Sequence, residues 1–359
     1  MKPDAADALK FAICLPTVTE PRIRGGGHLH TMRFAQLLGE HCQVRLVSYE
    51  RPEEGVWFLP DAEARLIAEG YTLLLTWGPD VNRLLKQYHG SLPVVFYQQS
   101  TDWGVDLPPD VPILSTSKYL MTYAQLRWPA NPQLYMPPAI APGCINLHRE
   151  RDIDVLVIKR KMTPYILETL LPALREHCKV HLVERFIPQE ELFELFNRSK
   201  VYVYAFAPQR SQHAETGWRM MEGFGLQVLE AIVCGCTVFT NLRGGMTDFV
   251  EPPLVGHCLE CYAPQWDRDQ ILKAVRAHPH REPSGHARVL LERYGEAAFH
   301  ERAAYVLANL RDFFAAASDY PPEAQSFRIP EPIPMYQAWG EQILTKLRRS
   351  KPRWLRWRR

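Results

Sequence analysis

No apolar run in the 359 residues approaches the roughly 20 that a membrane-spanning helix needs, so any membrane contact is expected to be peripheral. The opening MKPDAADALK lacks the charged-then-apolar form of a secretory leader. The eight cysteines (14, 42, 144, 178, 234, 236, 258 and 261) are scattered rather than grouped as a disulfide framework. Both features set the expectation of a reduced, cytoplasmic compartment. No aspartate-rich metal motif, low-complexity tract or short-period repeat is present. Acid is missing altogether from Lys346 to Arg359, a stretch with eight Lys and Arg residues. Taking those eight charges from the net +2 leaves −6 for the rest, a balance that excludes a general nucleic-acid-coating surface.

What is present fits a globular chain of two ordinary domains. Apolar residues at 46% and charged residues at 23% argue against both disorder and a membrane-embedded body, and the length suits two cores rather than one. Strand-length apolar runs alternate with amphipathic stretches: FAICLP, then TMRFAQLLGE, QVRLVSY, DAEARLIAEG and TLLLTW. The rhythm continues through LPVVFYQ, PILSTS and a helix over 118–127 to PQLYMPPAIAPG, a strand ending in a proline-rich linker. A second series runs DIDVLVI, YILETLLPALREH, KVHLV, QEELFELFNRS, KVYVYAF, a polar insertion, GLQVLEAIVCG and TVFTN. Two βα series predict two doubly wound α/β domains, 1–141 and 150–325, facing each other across a cleft, with ligands beyond the carboxyl ends of the strands. Residues 326–359 form a third segment, helical over 334–349, that ends in KLRRSKPRWLRWRR.

The chemistry concentrates after KVYVYAF. Glu222, Gly223, Phe224 and Gly225 precede the helix GLQVLEAIVCG, where two glycines let the backbone turn sharply and let a ligand approach free helix amides that favour phosphate. Glu230 lies among Val228, Leu229, Ala231, Ile232 and Val233, so its carboxylate needs a partner. Vicinal ribose hydroxyls and an ion pair with a neighbouring residue meet that need equally well.

The phrase EGFGLQVLEAIVCG, followed by an apolar strand and the Gly244–Gly245 turn, resembles the signature of glycosyltransferase family 4, retaining enzymes of the GT-B fold with two Rossmann-like domains. The matching positions are Glu222, Gly223, Phe224, Gly225, Leu226, Leu229, Glu230, Ala231, Gly235, Gly244 and Gly245; a weaker likeness extends over residues 11–315. The resemblance implies transfer of a sugar from a nucleoside-diphosphate donor, with Glu230 on the nucleotide ribose and Glu222 facing the donor sugar. Amides around Phe224, Gly225 and Leu226 would hold donor hydroxyls and phosphate. It also matches RGGGHLHTMRFAQLL, with Gly25, Gly26 and Gly27, to the family's first glycine-rich loop; a plain flexible turn is the alternative reading. His28 and His30 are then candidates for the acceptor side.

An Arg and a Lys on the donor diphosphate are expected after the first strand of the second domain. VLVIKRKMTPYI lacks the family's glycine and spacing but offers Lys159 and Lys161 as the expected catalytic pair, with Arg160 on the donor beside them; a solvated basic loop would read the same way. The implied chemistry is front-face transfer with the leaving phosphate taking the acceptor proton, so the two glutamates position and stabilise rather than act as a glycosidase pair. No metal or other cofactor is expected. The C-L-E-C and C-G-C pairs read as free thiols.

The insertion APQRSQHAETGWRM, with Arg210, His213, Glu215, Trp218 and Arg219, reads either as a sugar-stacking wall or as a surface loop. The GT-B resemblance also implies that the last helix, within 326–359, crosses back to the first domain; beyond it Trp354, Leu355 and Trp357 among arginines suit an anionic bilayer surface, with a nucleic-acid patch or a solvated tail as competitors. Partners follow: a nucleotide-sugar donor, a glycan, glycolipid or small acceptor, and the membrane surface. Two other functions fit the pattern, a sugar-nucleotide epimerase and a non-catalytic glycan-binding or scaffold protein.

Overall fold

Predominantly apolar runs such as YTLLL and VVFYQ are buried at every position, as strands of a parallel sheet covered by helices on both faces must be. In the computed structural model, which describes residues 9–19, 26–76, 78–212, 217–219, 222–259, 262–278 and 285–319, they lie near the middle of a seven-stranded sheet. The elements of this first lobe are β1 (Lys10–Leu15), α1 (Gly26–Leu38), β2 (Gln43–Ser48), β3 (Trp57–Phe58), α2 (Leu59–Ala68), β4 (Tyr71–Leu75) and α3 (Val81–Tyr88). After them come β5 (Val94–Gln98), β6 (Ile113–Ser115), α4 (Lys118–Arg127) and β7 (Gln133–Tyr135). The order is β3-β2-β1-β4-β5-β6-β7 and every pairing is parallel.

The second lobe contains β8 (Ile153–Ile158), a helical segment Tyr165–Leu170 that continues into α5 (Leu171–Arg175), β9 (Val180–Val183), α6 (Gln189–Arg198) and β10 (Ser199–Tyr204). A small antiparallel hairpin follows, β11 (Gln209–Arg210) with β12 (Trp218–Arg219). Then come α7 (Leu226–Val233), β13 (Thr237–Thr240), a short turn of helix Gly244–Asp248, β14 (His257–Cys258), α8 (Pro264–Ala277), α9 (Gly285–Tyr294) and α10 (Glu296–Asp319). Its sheet runs β14-β13-β10-β8-β9, again all parallel. Two parallel α/β sheets are what the alternating sequence pattern implies.

The core has three parts: one on each face of the first sheet and one in the second lobe. Phe299, Ala303, Val306, Leu307 and Leu310 of α10 pack with Phe11, Phe34 and Leu37 of the first lobe. Among the described residues, α10 is thus a helix that returns to the first lobe, within the span 150–325. Residues 326–359, with the helix read over 334–349 and the basic aromatic tail, lie outside the described residues. Asp248 also ties the lobes through polar contacts. Asp248 Oδ2 accepts from the Lys118 amide at 2.9 Å, at the start of α4, and from the Tyr135 hydroxyl at 3.0 Å.

Candidate functional site

In the second sheet the chain passes from β8 to β9 on one side, then crosses to β10 on the other, so the strand order reverses between β8 and β10. The carboxyl ends of such a strand pair open into a crevice where ligands bind. Lys159, Arg160 and Lys161 follow β8, and Glu222 follows β10 after the hairpin. Lys161 adopts a left-handed backbone (φ 65°). That turn brings its carbonyl to the Ala207 amide at 3.0 Å, next to the Met162–Phe206 bridge, and aims its side chain across the end of β10.

Glu222 is held at three points. Its Oε2 accepts from the Tyr204 hydroxyl at 2.6 Å and lies 3.4 Å from Lys161 Nζ, while Oε1 accepts from the Gly225 amide at 3.0 Å. Only 16% of the Glu222 side chain and 25% of the Lys161 side chain is exposed, so the pair is only lightly screened by water. Tyr204 stays protonated and donating, because burial and the adjacent carboxylate push its pKa well above the usual phenol value.

Glycines make this packing geometrically possible. A Cβ on Gly244 would fall 2.3 Å from the Glu222 carbonyl oxygen, and one on Gly245 would fall 2.1 Å from that of Gly223. The Gly-Gly turn thus lies directly against the EGFG segment. A Cβ on Gly223 would fall 1.8 Å from the Gln99 carbonyl oxygen, just past β5 of the first lobe. The Gln99 side chain in turn donates to Thr31 Oγ1 of α1 at 2.8 Å. The carboxylate–ammonium pair therefore sits at the seam of the two lobes. Gly225 caps α7 at φ 89°, and a Cβ there would meet Met246 Cγ at 2.3 Å. Gly225→Ala is expected to lower stability by about 2–3 kcal/mol, from the left-handed backbone and the overpacking together. Chemical denaturation measures it, and a loss below about 0.5 kcal/mol contradicts the packing described.

The helix α7 is buried over most of its length, and Glu230 goes in with it at 2% exposure. The one hydrogen bond to its carboxylate among the described residues is from Gln189 Nε2 at 3.3 Å, at the start of α6. No ion pair reaches it among those residues, so of the two partners the sequence left open the charged neighbour is absent. Burial pushes its pKa up to about 8, with Gln189 opposing weakly.

No protein-family model matches the sequence, and no curated protein matches it. Solved structures do resemble it in shape. Sucrose-phosphate synthase from Thermosynechococcus elongatus superposes with a TM-score of 0.62 at 14% identity, over 86% of this chain and 100% of that one. WaaG, a glycosyltransferase involved in lipopolysaccharide biosynthesis, gives 0.58 at 14% identity, over 83% and 99%. HepE from Anabaena, solved with UDP and glucose, gives 0.54 at 14% identity, over 84% and 99%. The fold is GT-B.

Within the GT-B frame the remaining sequence candidates separate. Lys159 turns outward to Glu184 at 2.6 Å, both side chains more than half exposed, and Arg160 is exposed beside it, so only Lys161 of the basic triplet reaches Glu222. The difference arises because Lys159 still follows the strand direction of β8, its amide bonded to Val183, whereas Lys161 is itself the left-handed residue of the turn. Phe224 anchors the loop from within, its ring 5.4 Å from those of Phe249 and Tyr294. Leu226 opens α7, where first-turn amides have no intrahelical acceptor.

On the first lobe, Gly26 and Gly27 form the first turn of α1, and a Cβ on Gly26 would meet open space. Gly25 lies outside the described residues. His28 is buried at 3% exposure. His30 turns to Tyr97, Nε2 to hydroxyl 2.6 Å, and burial lowers its pKa to about 4. Both rings thus belong to the packing of α1. In the insertion, Arg210 stacks on the exposed Trp218 at 5.4 Å and Ser211 donates to the Asp102 carbonyl, while His213 and Glu215 lie outside the described residues. Cys144 and Cys234 are 3.6 Å apart as buried free thiols. No described helix is long and apolar enough to cross a membrane.

Sequence reasoning did not single out Tyr204, Gln189 or Gln99. A tyrosine at the carboxyl end of KVYVY is the one signal that pointed to the first; the other two depend on long-range packing.

Proposed function

We propose that this chain is a retaining glycosyltransferase that takes a sugar from a nucleoside diphosphate and passes it to a glycan, glycolipid or small acceptor. The observation that carries the reading is the Glu222–Lys161–Tyr204 cluster at the strand-order reversal of the second sheet, pressed against the first lobe at Gln99. The nucleotide-bound HepE structure supports a nucleotide sugar as donor.

In this reading Glu222, held by the Gly225 amide, orients the donor sugar, and the Leu226 amide at the start of α7 together with Lys161 receives the diphosphate. Transfer breaks the bond from the anomeric carbon to the phosphate oxygen. The acceptor oxygen attacks from the same face, and its proton passes to the departing phosphate. Lys161 and the helix amides stabilise the charge that develops there, which gives transfer without a divalent cation. Glu230 accepts from the ribose hydroxyls.

A panel of sugar nucleotides tests it through release of free nucleoside diphosphate that depends on an added acceptor, with EDTA present. Product sugar nucleotide formed without an acceptor would indicate an epimerase instead, and neither product a binding protein. The two lysines give a sharper check. Lys161→Ala is expected to lower kcat by about 10–100-fold. Lys159→Ala, which breaks only an exposed pair, is expected to stay within about twofold. Equal losses at both contradict the assignment. The acceptor is proposed to reach the protein at the cytoplasmic face of an anionic membrane, bound by the tail. Unchanged liposome binding after deletion beyond Ser350 argues against that.

A further inference from the structure

At the far end of α1 from the glycine turn, four side chains from two distant segments converge. Glu40 and His41 close the carboxyl end of α1, their amides bonded back to Leu37 and Leu38. Glu296 and His300 stand one turn apart on the opening of α10. His300 Nε2 lies 3.6 Å from Glu40 Oε2 and 3.8 Å from Glu296 Oε1, and the ligand atoms of these three residues all fall within 4.8 Å of one another.

Those distances are too long for hydrogen bonds. They are close to the separation of neighbouring ligands around a four-coordinate zinc ion, because two donors about 2.1 Å from the metal at the tetrahedral angle lie about 3.4 Å apart. The surroundings hold both outer atoms in place. His300 Nδ1 meets His41 Nε2 at 2.8 Å, which, with Nδ1–H donating, leaves the Nε2 lone pair facing the carboxylates. Arg33 binds Glu296 Oε2 at 2.5 Å, so Oε1 is the oxygen turned toward His300. A metal-bound histidine whose other nitrogen is hydrogen-bonded, and a metal-bound carboxylate oriented by a second partner, are the usual supports of such a site.

We propose that Glu40, Glu296 and His300 bind a zinc-class divalent cation that staples α10 to the first lobe, with His41 and Arg33 orienting the ligands and water completing the coordination. The 13 residues of α1 span about 20 Å, which separates this site from the glycine turn at the lobe seam. Its role is structural. α10 is the element through which the chain, after building the second lobe, returns to the first, and a metal here fixes the docking of that helix.

Protein without an affinity tag, stripped with EDTA and titrated with zinc chloride, should bind one equivalent with micromolar or tighter affinity and gain thermal stability. Glu296→Gln and His300→Ala should each weaken binding by at least about tenfold and remove the gain in Tm. Glu40→Gln, at a largely exposed position that leaves the fold untouched, should weaken it in the same direction. Cobalt in place of zinc should give visible bands without sulfur-to-metal charge transfer. No saturable zinc binding, affinity unchanged in all three variants, or a thiolate signature in the cobalt spectrum each overturns the proposal. Because the readout is metal binding, the outcome is independent of whether the lobe seam transfers sugar.

Discussion

Glu222→Ala is expected to lower kcat/KM for sugar transfer by about 10²–10³-fold, equivalent to about 3–4 kcal/mol of transition-state stabilisation. The size follows from the number of groups one carboxylate organises. Its removal leaves the buried Tyr204 hydroxyl, the Lys161 ammonium and the Gly225 amide without their acceptor at once. Lys161 would then be free to swing away from where charge on the leaving phosphate is to be met. Tyr204→Phe removes one donor and keeps the Lys161 contact, so a loss of about tenfold, small beside that of Glu222→Ala, is expected. Single-turnover transfer with saturating donor, on variants whose cooperative unfolding is intact, separates chemistry from binding. Transfer within about twofold of wild type in Glu222→Ala would remove Glu222 from the reaction.

The parts of this site that the sequence made legible are those set by local rules. EGFG, the apolar helix and the Gly-Gly turn each carry a backbone requirement, and each occupies the position its residues demand: left-handed at Gly225 and Gly244, and in close approach at Gly223 and Gly245. The alternating strands and helices were equally readable, because a parallel sheet buried on both faces imposes an unbroken apolar run.

What was not legible depends on registry between segments far apart in the chain. Lys159 and Lys161 are equivalent in composition, and only the left-handed turn at Lys161 decides which of them faces Glu222. His30 follows a glycine turn in the manner of a ligand-binding residue, yet Tyr97, 67 positions later, draws it into the packing of α1. A returning helix was expected within 326–359; that α10 already returns to the first lobe was hidden, since its apolar stripe reads the same whichever lobe it covers.

Glu230 gives the largest expected dependence on pH. Its carboxyl ionises near the ordinary carboxylate range when the chain is unfolded and at about 8 when folded, because the ring of apolar residues around α7 excludes water and, among the described residues, only Gln189 donates to it. Between those two values the folded protein holds a proton that the unfolded chain has released. Stability without ligand must therefore fall as pH rises from about 5 to 8, and be unaffected by this group below the lower value. The full difference is about 3–5 kcal/mol. Glu230→Gln, neutral at all pH, should match wild type in stability near pH 4.5 and exceed it by that order at pH 8.5, as read from urea unfolding at the two values. Equal slopes against pH in the two proteins would show that the carboxyl is already paired. A nucleotide whose ribose hydroxyls donate to Glu230 reverses the preference, because those donors favour the carboxylate. Binding should then release a proton below pH 8 and tighten as pH rises toward it. Calorimetry in two buffers of different ionisation enthalpy measures that proton directly, and the Glu230→Gln variant should bind more weakly and release none. The same buried carboxyl that weakens the empty protein at high pH thus becomes, once ribose hydroxyls reach it, the group through which donor binding stabilises the fold.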